Sequence, residues 1–180
     1  MLRIIGGRFR GRKLPVANID GLRPTGDRIR ETLFNWLAPW LVDARCLDLF
    51  AGSGALGLEA LSRGAAHVEL WEKHPAAAGA IAESLSLLQA AQARLSRGDT
   101  LDTLQQAPRG AFDIVFLDPP FAGELWQPCI DALGPWLAQE AWVYIESPIE
   151  ANYTVPNTWQ AYRQKQAGRV CYALFRVLPG

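Results

Sequence analysis

Arg45-Cys-Leu-Asp48-Leu-Phe50-Ala-Gly52-Ser53-Gly54-Ala-Leu-Gly57-Leu-Glu59 sets the architecture of this chain. It opens as an apolar run of strand length and continues in helix-forming Ala and Leu, so the chain passes from strand to helix across Gly52-Ser53-Gly54. Glycines at 52, 54 and 57 match G-x-G-x-x-G at that junction, a spacing that lets backbone approach a ligand closely. The turn sits under a helix N-terminus, where free N–H groups and the positive dipole end favour a carboxylate or phosphate. About 20 residues on, where a ribose-binding acid is expected, Val68-Glu-Leu-Trp-Glu72 ends on a carboxylate.

On either side of this block, strand and helix alternate. The pattern predicts strands at 45–50, 67–72, 93–97, 112–117 and 141–146 and helices at 55–63, 75–91, 100–106 and 123–138. Near-continuous apolar strands in strict turn with helices imply a parallel sheet covered on both faces. The tail departs from this pattern: Thr158–Gln164 and Arg169–Leu178, joined by Gln166-Ala167-Gly168, read as an antiparallel hairpin at one sheet edge. Residues 2–16 read as a second, smaller hairpin around Gly6-Gly7-Arg8-Phe9-Arg10-Gly11, too short to persist unless it leans on something larger. After a linker over 17–24, Ile29, Leu33, Trp36 and Leu37 form the stripe of a helix that Thr25 or Asp27 caps and Pro39 closes. The chain thus divides into a hairpin extension, residues 1–24, and a main domain, residues 25–180.

With 180 residues, one domain buries about 70% of the surface of its unfolded chain without a metal or disulfide. Three scattered cysteines and two histidines form no zinc or disulfide pattern. No apolar run spans a bilayer and Met1-Leu-Arg-Ile-Ile-Gly-Gly is not a signal peptide, so a cytoplasmic, reduced protein is expected. Net charge is zero, yet residues 1–30 carry eight Lys/Arg against two acids. Arg8, Arg10, Arg12, Lys13, Arg23 and Arg28 are therefore candidate contacts to a polyanion, although a solvated basic arm has the same composition.

A second stretch carries chemistry. Asp113-Ile-Val-Phe-Leu-Asp118-Pro119-Pro120-Phe121 ends an apolar strand on a carboxylate followed by two prolines, which continue neither sheet nor helix and hold their carbonyls in fixed directions. Such a turn presents acceptors to an N–H donor, and Phe121 offers a face on which a base can stack. The glycine loop and Glu72 suit a dinucleotide enzyme as well as an S-adenosylmethionine enzyme. Three further acids favour the latter: Asp48, in reach of the loop and of an amino group held there; Asp99, where an adenine amino group arrives; and Asp118, beside the first strand's crevice. Taken singly, Asp48 also suits a helix cap, and Glu72 and Asp99 solvated strand ends.

With these blocks in place the chain resembles the RsmD family of bacterial rRNA guanine methyltransferases. The resemblance rests on Arg3-Ile-Ile-Gly-Gly-Arg-Phe-Arg-Gly-Arg-Lys-Leu-Pro15, Leu22-Arg-Pro-Thr25, Arg28-Ile-Arg-Glu-Thr-Leu-Phe-Asn-Trp36, Cys46 to Gly57 and Asp118 to Phe121. It implies a Rossmann-like class I methyltransferase with a mostly parallel sheet, using S-adenosylmethionine and no metal. It further implies cofactor contacts from Asp48, Phe50, Gly52, Ser53, Gly54, Glu72 and Asp99, and a catalytic role for Asp118, Pro119, Pro120 and Phe121. The basic hairpin becomes an RNA contact, and the substrate the 2-amino group of a guanine in 16S rRNA, within a partly or fully assembled small subunit. A DNA adenine amino-methyltransferase shares the glycine and Asp-Pro-Pro-Phe blocks, and a non-catalytic RNA-binding assembly factor is the alternative from another class.

Overall fold

Strands apolar on both faces must be covered on both faces, and the fold follows from that requirement. The computed structural model describes residues 1–22 and 25–180, so the expected contact of Arg23 lies outside the described residues. Two short strands, β1 (Leu2–Arg3) and β2 (Lys13–Leu14), precede α1 (Asp27–Leu41). There follow β3 (Arg45–Asp48), α2 (Ala55–Ser62), β4 (His67–Trp71), α3 (Pro75–Leu87), β5 (Ala93–Ser96), α4 (Thr100–Leu104) and β6 (Phe112–Leu117). The chain ends with α5 (Trp126–Leu133), β7 (Leu137–Pro148), β8 (Trp159–Ala167) and β9 (Val170–Val177). The main sheet has the order β5-β4-β3-β6-β7-β9-β8. Strands β3 to β7 are parallel, and β9 runs antiparallel between β7 and β8.

Side-chain alternation sorts the core into two layers. Cys46, Ile114, Phe116, Tyr144 and Leu174 pack with α1, α2 and α3, whereas Leu47, Val115, Leu117, Val143 and Ile145 pack with α4 and α5. Each large apolar side chain buried this way contributes about 1.5–3 kcal/mol. After β5 the chain crosses back to place β6 beside β3, and this reversal opens a crevice at the carboxyl ends of those two strands.

Three details differ from the sequence reading. Pro39 does not close α1, which runs on to Leu41. Proline in a helix interior costs about 3 kcal/mol or more, but here the carbonyl it orphans belongs to exposed Asn35, while Leu41 is fully buried and Trp40 packs 4.1 Å from Trp142. Neither Thr25 nor Asp27 caps the helix; Gly26 takes that position with no side-chain hydrogen bond, and Thr25 turns its hydroxyl elsewhere. The helix expected over 123–138 shrinks to α5 and a 3-10 turn at Gly134–Trp136, because Gly123 and Glu124 hold left-handed φ values of 99° and 50° and Pro135 cannot continue an α-helix.

The N-terminal hairpin is clamped to the body. Leu2, Ile4 and Leu14 are buried in the same cluster as Leu33 and Leu37 of α1. Fully buried Glu59 accepts from the N–H groups of Ile5 (3.0 Å) and Gly6 (2.8 Å) and from the guanidinium groups of Arg30 (3.2 Å) and Arg63 (2.8 Å). One turn along α2, the Ser62 hydroxyl donates to the Gly6 carbonyl (2.6 Å) and accepts from the Phe9 N–H (3.0 Å). Gly7 crosses this contact at φ 79°, and a Cβ there would lie 2.0 Å from the Ser62 carbonyl oxygen. Only glycine fits such a crossing.

Candidate active site

A cavity of about 830 Å³ opens over the crevice between β3 and β6. Its wall brings together Asp48, Phe50, Gly52, Ser53, Glu72, Asp99 and Asp118 to Phe121, with Thr25 and Glu146 besides. Gly54 stands behind the wall as the N-cap of α2. A hollow of about 480 Å³ beside α5 and the β8–β9 hairpin contains none of these residues.

The glycine loop is shaped by its missing side chains. Gly52 and Gly54 adopt φ 57° and 85°, a left-handed conformation that other residues enter at a cost. Gly57 serves packing instead. A Cβ there would meet Leu70 at 2.6 Å and Asp48 Oδ2 at 3.3 Å, so its absence lets α2 settle against β4. Asp48 Oδ2 accepts from the Gly57 N–H at 3.0 Å, while Oδ1 is buried with no partner. Burial pushes the Asp48 carboxyl up to about 7; the Gly57 N–H opposes the shift, the Glu72 charge adds to it, and the Phe50 N–H opposes it more weakly, without making a hydrogen bond of normal geometry to Oδ1. Asp48 thus braces the helix and also keeps an open acceptor.

Glu72 ties the loop to the next turn, Oε2 accepting from the Gly52 N–H (2.7 Å) and Oε1 from the His74 N–H (3.0 Å). A carboxylate has about four lone-pair sites, so two remain for a ligand. Asp99 caps α4 through the Asp102 N–H (3.2 Å), with its other oxygen 3.8 Å from Lys73 Nζ. The Ser53 hydroxyl accepts from the Ala55 N–H at 3.3 Å, and Phe50 packs between the cavity and the lower core. These residues fit S-adenosylmethionine: the unpartnered Asp48 oxygen suits its amino group, the bare loop admits its close approach, and Glu72 and Asp99 offer acceptors to hydroxyl and amino donors.

At the other end of the cavity, Asp118 Oδ2 accepts from the Thr25 hydroxyl at 3.2 Å. Pro119 is buried, Pro120 exposed, and the Phe121 ring is 44% exposed with its centroid 6.0 Å from that of Trp126. Leu117 and Ile145 are the last pair of the β6–β7 ladder, and one residue further stand Asp118, just past the end of β6, and Glu146, still within β7. The two carboxyls lie against one another, and the Tyr144 hydroxyl donates to Glu146 Oε1 at 2.6 Å. Burial, then the charges of Glu146 and Asp48, hold the Asp118 carboxyl well above the carboxylate range, with the Thr25 hydroxyl pulling the other way. Burial also raises Glu146, against the hydrogen bond from Tyr144 and the neighbouring Asp118 carboxyl. Sequence reasoning overlooked Glu146 and Thr25 as site residues. An acid ending the apolar run Ala141 to Ile145 is the same signal that singled out Glu72, whereas nothing local marks Thr25.

Among the described residues, the predicted RNA contacts Arg8, Arg10, Arg12, Lys13 and Arg28 stand apart from the cavity wall. Arg8, Arg10, Arg12 and Lys13 are exposed on the clamped hairpin, Arg8 over the Phe9 ring at 4.5 Å and Arg12 donating to the Leu87 carbonyl at 3.3 Å. Arg28 is exposed in the first turn of α1. The segment Ile19 to Leu22, after the hairpin, reaches the cavity rim.

The sequence model of the family described as conserved hypothetical protein 95 matches residues 2–176. The chain belongs to this family, the RsmD family of its sequence resemblance. It is 51% identical over 179 residues to the Escherichia coli (strain K12) protein named ribosomal RNA small subunit methyltransferase D, covering 97% of this chain and 89% of that one. The Haemophilus influenzae protein of the same name is 44% identical over 180 residues, 97% of this chain and 93% of that one. The solved structure of a putative methyltransferase, yhhF, from Escherichia coli superposes with a TM-score of 0.92 at 50% identity over 99% of both chains. This RsmD-family member therefore has the methyltransferase fold expected of it.

Proposed function

We propose that this protein transfers a methyl group from S-adenosylmethionine to the exocyclic 2-amino group of a guanine in 16S rRNA of the small ribosomal subunit. The observation that carries the reading is that Asp118-Pro119-Pro120-Phe121 opens onto the same cavity as the glycine loop and its acids. When bound, S-adenosylmethionine supplies a methyl carbon made electrophilic by its sulfonium. Asp48, Phe50, Gly52, Ser53, Gly54, Glu72 and Asp99 hold it, the open oxygen of Asp48 taking the amino group.

An exocyclic guanine amine is a weak nucleophile because its lone pair is delocalised into the ring. Asp118 and the Pro119 carbonyl accept its two N–H bonds and favour a tetrahedral nitrogen whose lone pair is free. As the new N–C bond forms and the bond from that methyl carbon to sulfur breaks, positive charge moves onto nitrogen, and Asp118, once ionised, stabilises it and takes the surplus proton. Alignment of the reacting atoms is worth roughly 7–11 kcal/mol, and preorganised acceptors add to this. Phe121 stacks on a base drawn out of its helix or loop, since a paired guanine hides the amine. Arg8, Arg10, Arg12, Lys13, Arg23 and Arg28 contact RNA phosphates and set register. In this division of labour the hairpin extension, residues 1–24, grips RNA and residues 25–180 perform the chemistry, in the cytoplasm where ribosomal subunits form.

The test is incubation with labelled S-adenosylmethionine and either unmodified small-subunit particles or naked 16S rRNA, followed by nucleoside digestion and mass spectrometry. 2-Methylguanosine is the expected product, and the comparison of particle with RNA reports how much assembly must precede the reaction. Label in methyladenosine, or no label despite binding of cofactor and RNA, overturns the reading.

A further inference from the structure

Resting on the guanine reading above, we propose that Glu146 is the residue that selects the base: its carboxylate accepts the guanine N1–H while Asp118 accepts from the adjacent 2-amino group. Guanine presents two neighbouring donors on this edge. Adenine places a lone pair at N1 beside its amino group, which would face a carboxylate oxygen with no proton between them. Asp118 and Glu146, each one residue beyond the last pair of the parallel β6–β7 ladder and both on the cavity wall, supply two neighbouring acceptors to match two neighbouring donors.

The surroundings of Glu146 fix its direction without neutralising it. Its backbone carbonyl accepts from the Trp126 indole N–H at 2.9 Å, and Tyr144 holds Oε1. It is 8% exposed, on the cavity wall. Among the described residues no Lys or Arg forms an ion pair with Glu146 or Asp118. The groups facing the pair are acids, phenols and a hydroxyl: Asp48 from β3, Tyr144 from β7, Tyr172 from β9 opposite Glu146, and Thr25. A merely structural buried acid is normally given a cation. This pair has no cation beside it among the described residues and burial favours the protonated form of each member, so both must ionise before both can accept from a base.

Two consequences follow, and the second separates recognition from scaffolding. With one carboxylate gone, Asp118 keeps its burial and the Asp48 charge but loses the Glu146 charge that adds to them, so the acid limb of the transfer rate moves to lower pH. And an amide in place of Glu146 can turn its NH₂ toward a base that lacks N1–H. 2-Aminopurine is such a base: it keeps the 2-amino group and carries a lone pair at N1.

The experiment uses the full chain with saturating S-adenosylmethionine and the RNA or particle methylated in the labelling assay, its target guanine kept or replaced by 2-aminopurine. Single-turnover rates are compared for wild type and Glu146→Gln. Hydrogen bonds to charged acceptors imply that Glu146→Gln slows guanine methylation roughly 10- to 100-fold. It should also shrink the preference of guanine over 2-aminopurine and displace the acid limb downward. An unchanged preference overturns the proposal, wherever the acid limb falls. Should thermal melting show Glu146→Gln to be unfolded, equal rates on guanine and 2-aminopurine in the wild type overturn it instead. If the product nucleoside is not 2-methylguanosine, the guanine reading itself has failed. If it is, and Glu146→Gln keeps the wild-type preference, only the role of Glu146 has failed.

Discussion

Glu59 and Glu146 are both buried glutamates, and their surroundings are opposite. Glu59, 0% exposed, receives two guanidinium groups and two backbone N–H groups. Glu146, 8% exposed, receives one phenol hydroxyl and faces another carboxyl. A carboxylate in low dielectric is costly unless paired and fully hydrogen-bonded, so the first is compensated in place and the second is not. The role of each buried acid follows from its company. Surrounded by cations it holds the hairpin to the body; left at a cavity wall among other acids, it waits for donors that arrive with a ligand.

The largest effect should come from dismantling the compensated side. Glu59→Ala takes from Arg30 its buried partner, leaving the exposed Asp27 carboxylate at 2.7 Å, and orphans the Ile5 and Gly6 N–H groups; removing one partner of a buried pair destabilises by about 3–5 kcal/mol. Denaturant unfolding should show this loss, and a change under about 1 kcal/mol would mean that water replaces the carboxylate. On the other side, Asp118→Ala is expected to lower turnover on the order of 100- to 1000-fold, the scale of removing one preorganised group from a developing charge. Calorimetric affinity for S-adenosylmethionine should persist, and near-normal turnover would remove Asp118 from the chemistry.

Asp48 extends the contrast, because its neutralisation should have the opposite sign from that of Glu59. Its carboxyl titrates near about 7 when folded against an ordinary value of 3.8. The folded state therefore binds the proton more tightly, and this contribution favours folding at low pH and is lost as pH rises through about 7. Asp48→Asn should raise stability at pH 8 by about 1–3 kcal/mol, with little gain at pH 4, while weakening cofactor binding. A melting-temperature series across pH for both proteins checks the sign. The smallest effect concerns the clamped hairpin: replacing Arg8, Arg10 and Arg12 with Ala should weaken RNA affinity and reduce the salt slope by up to about 3, one per phosphate contact. An unchanged slope would place the RNA elsewhere.

Much of the architecture was legible because its signals are local. The strand at 112–117 has the bounds expected, the acids at strand ends do line one cavity, and the tail does form an edge hairpin. What was illegible depended on packing. Pro39 is tolerated because Trp40 and Leu41 have partners across the fold, and Thr25 leaves its capping place because Asp118 lies within reach of its hydroxyl. Glu146 was passed over although it ends an apolar run as Glu72 does, because its neighbour Asp118 belongs to another strand.

The alternation of strand and helix, the bare glycine loop and the stiff turn after Asp118 are written in the amino-acid order alone. Each is a constraint on a few consecutive residues: side-chain periodicity, the absence of a Cβ, a proline ring. Which acids are neutralised and which are left to one another was settled only when the chain folded. That outcome depends on strand register and on which helix carries an arginine to a given depth, and a carboxylate's charge is governed by the groups within a few ångströms in space, wherever they stand along the chain.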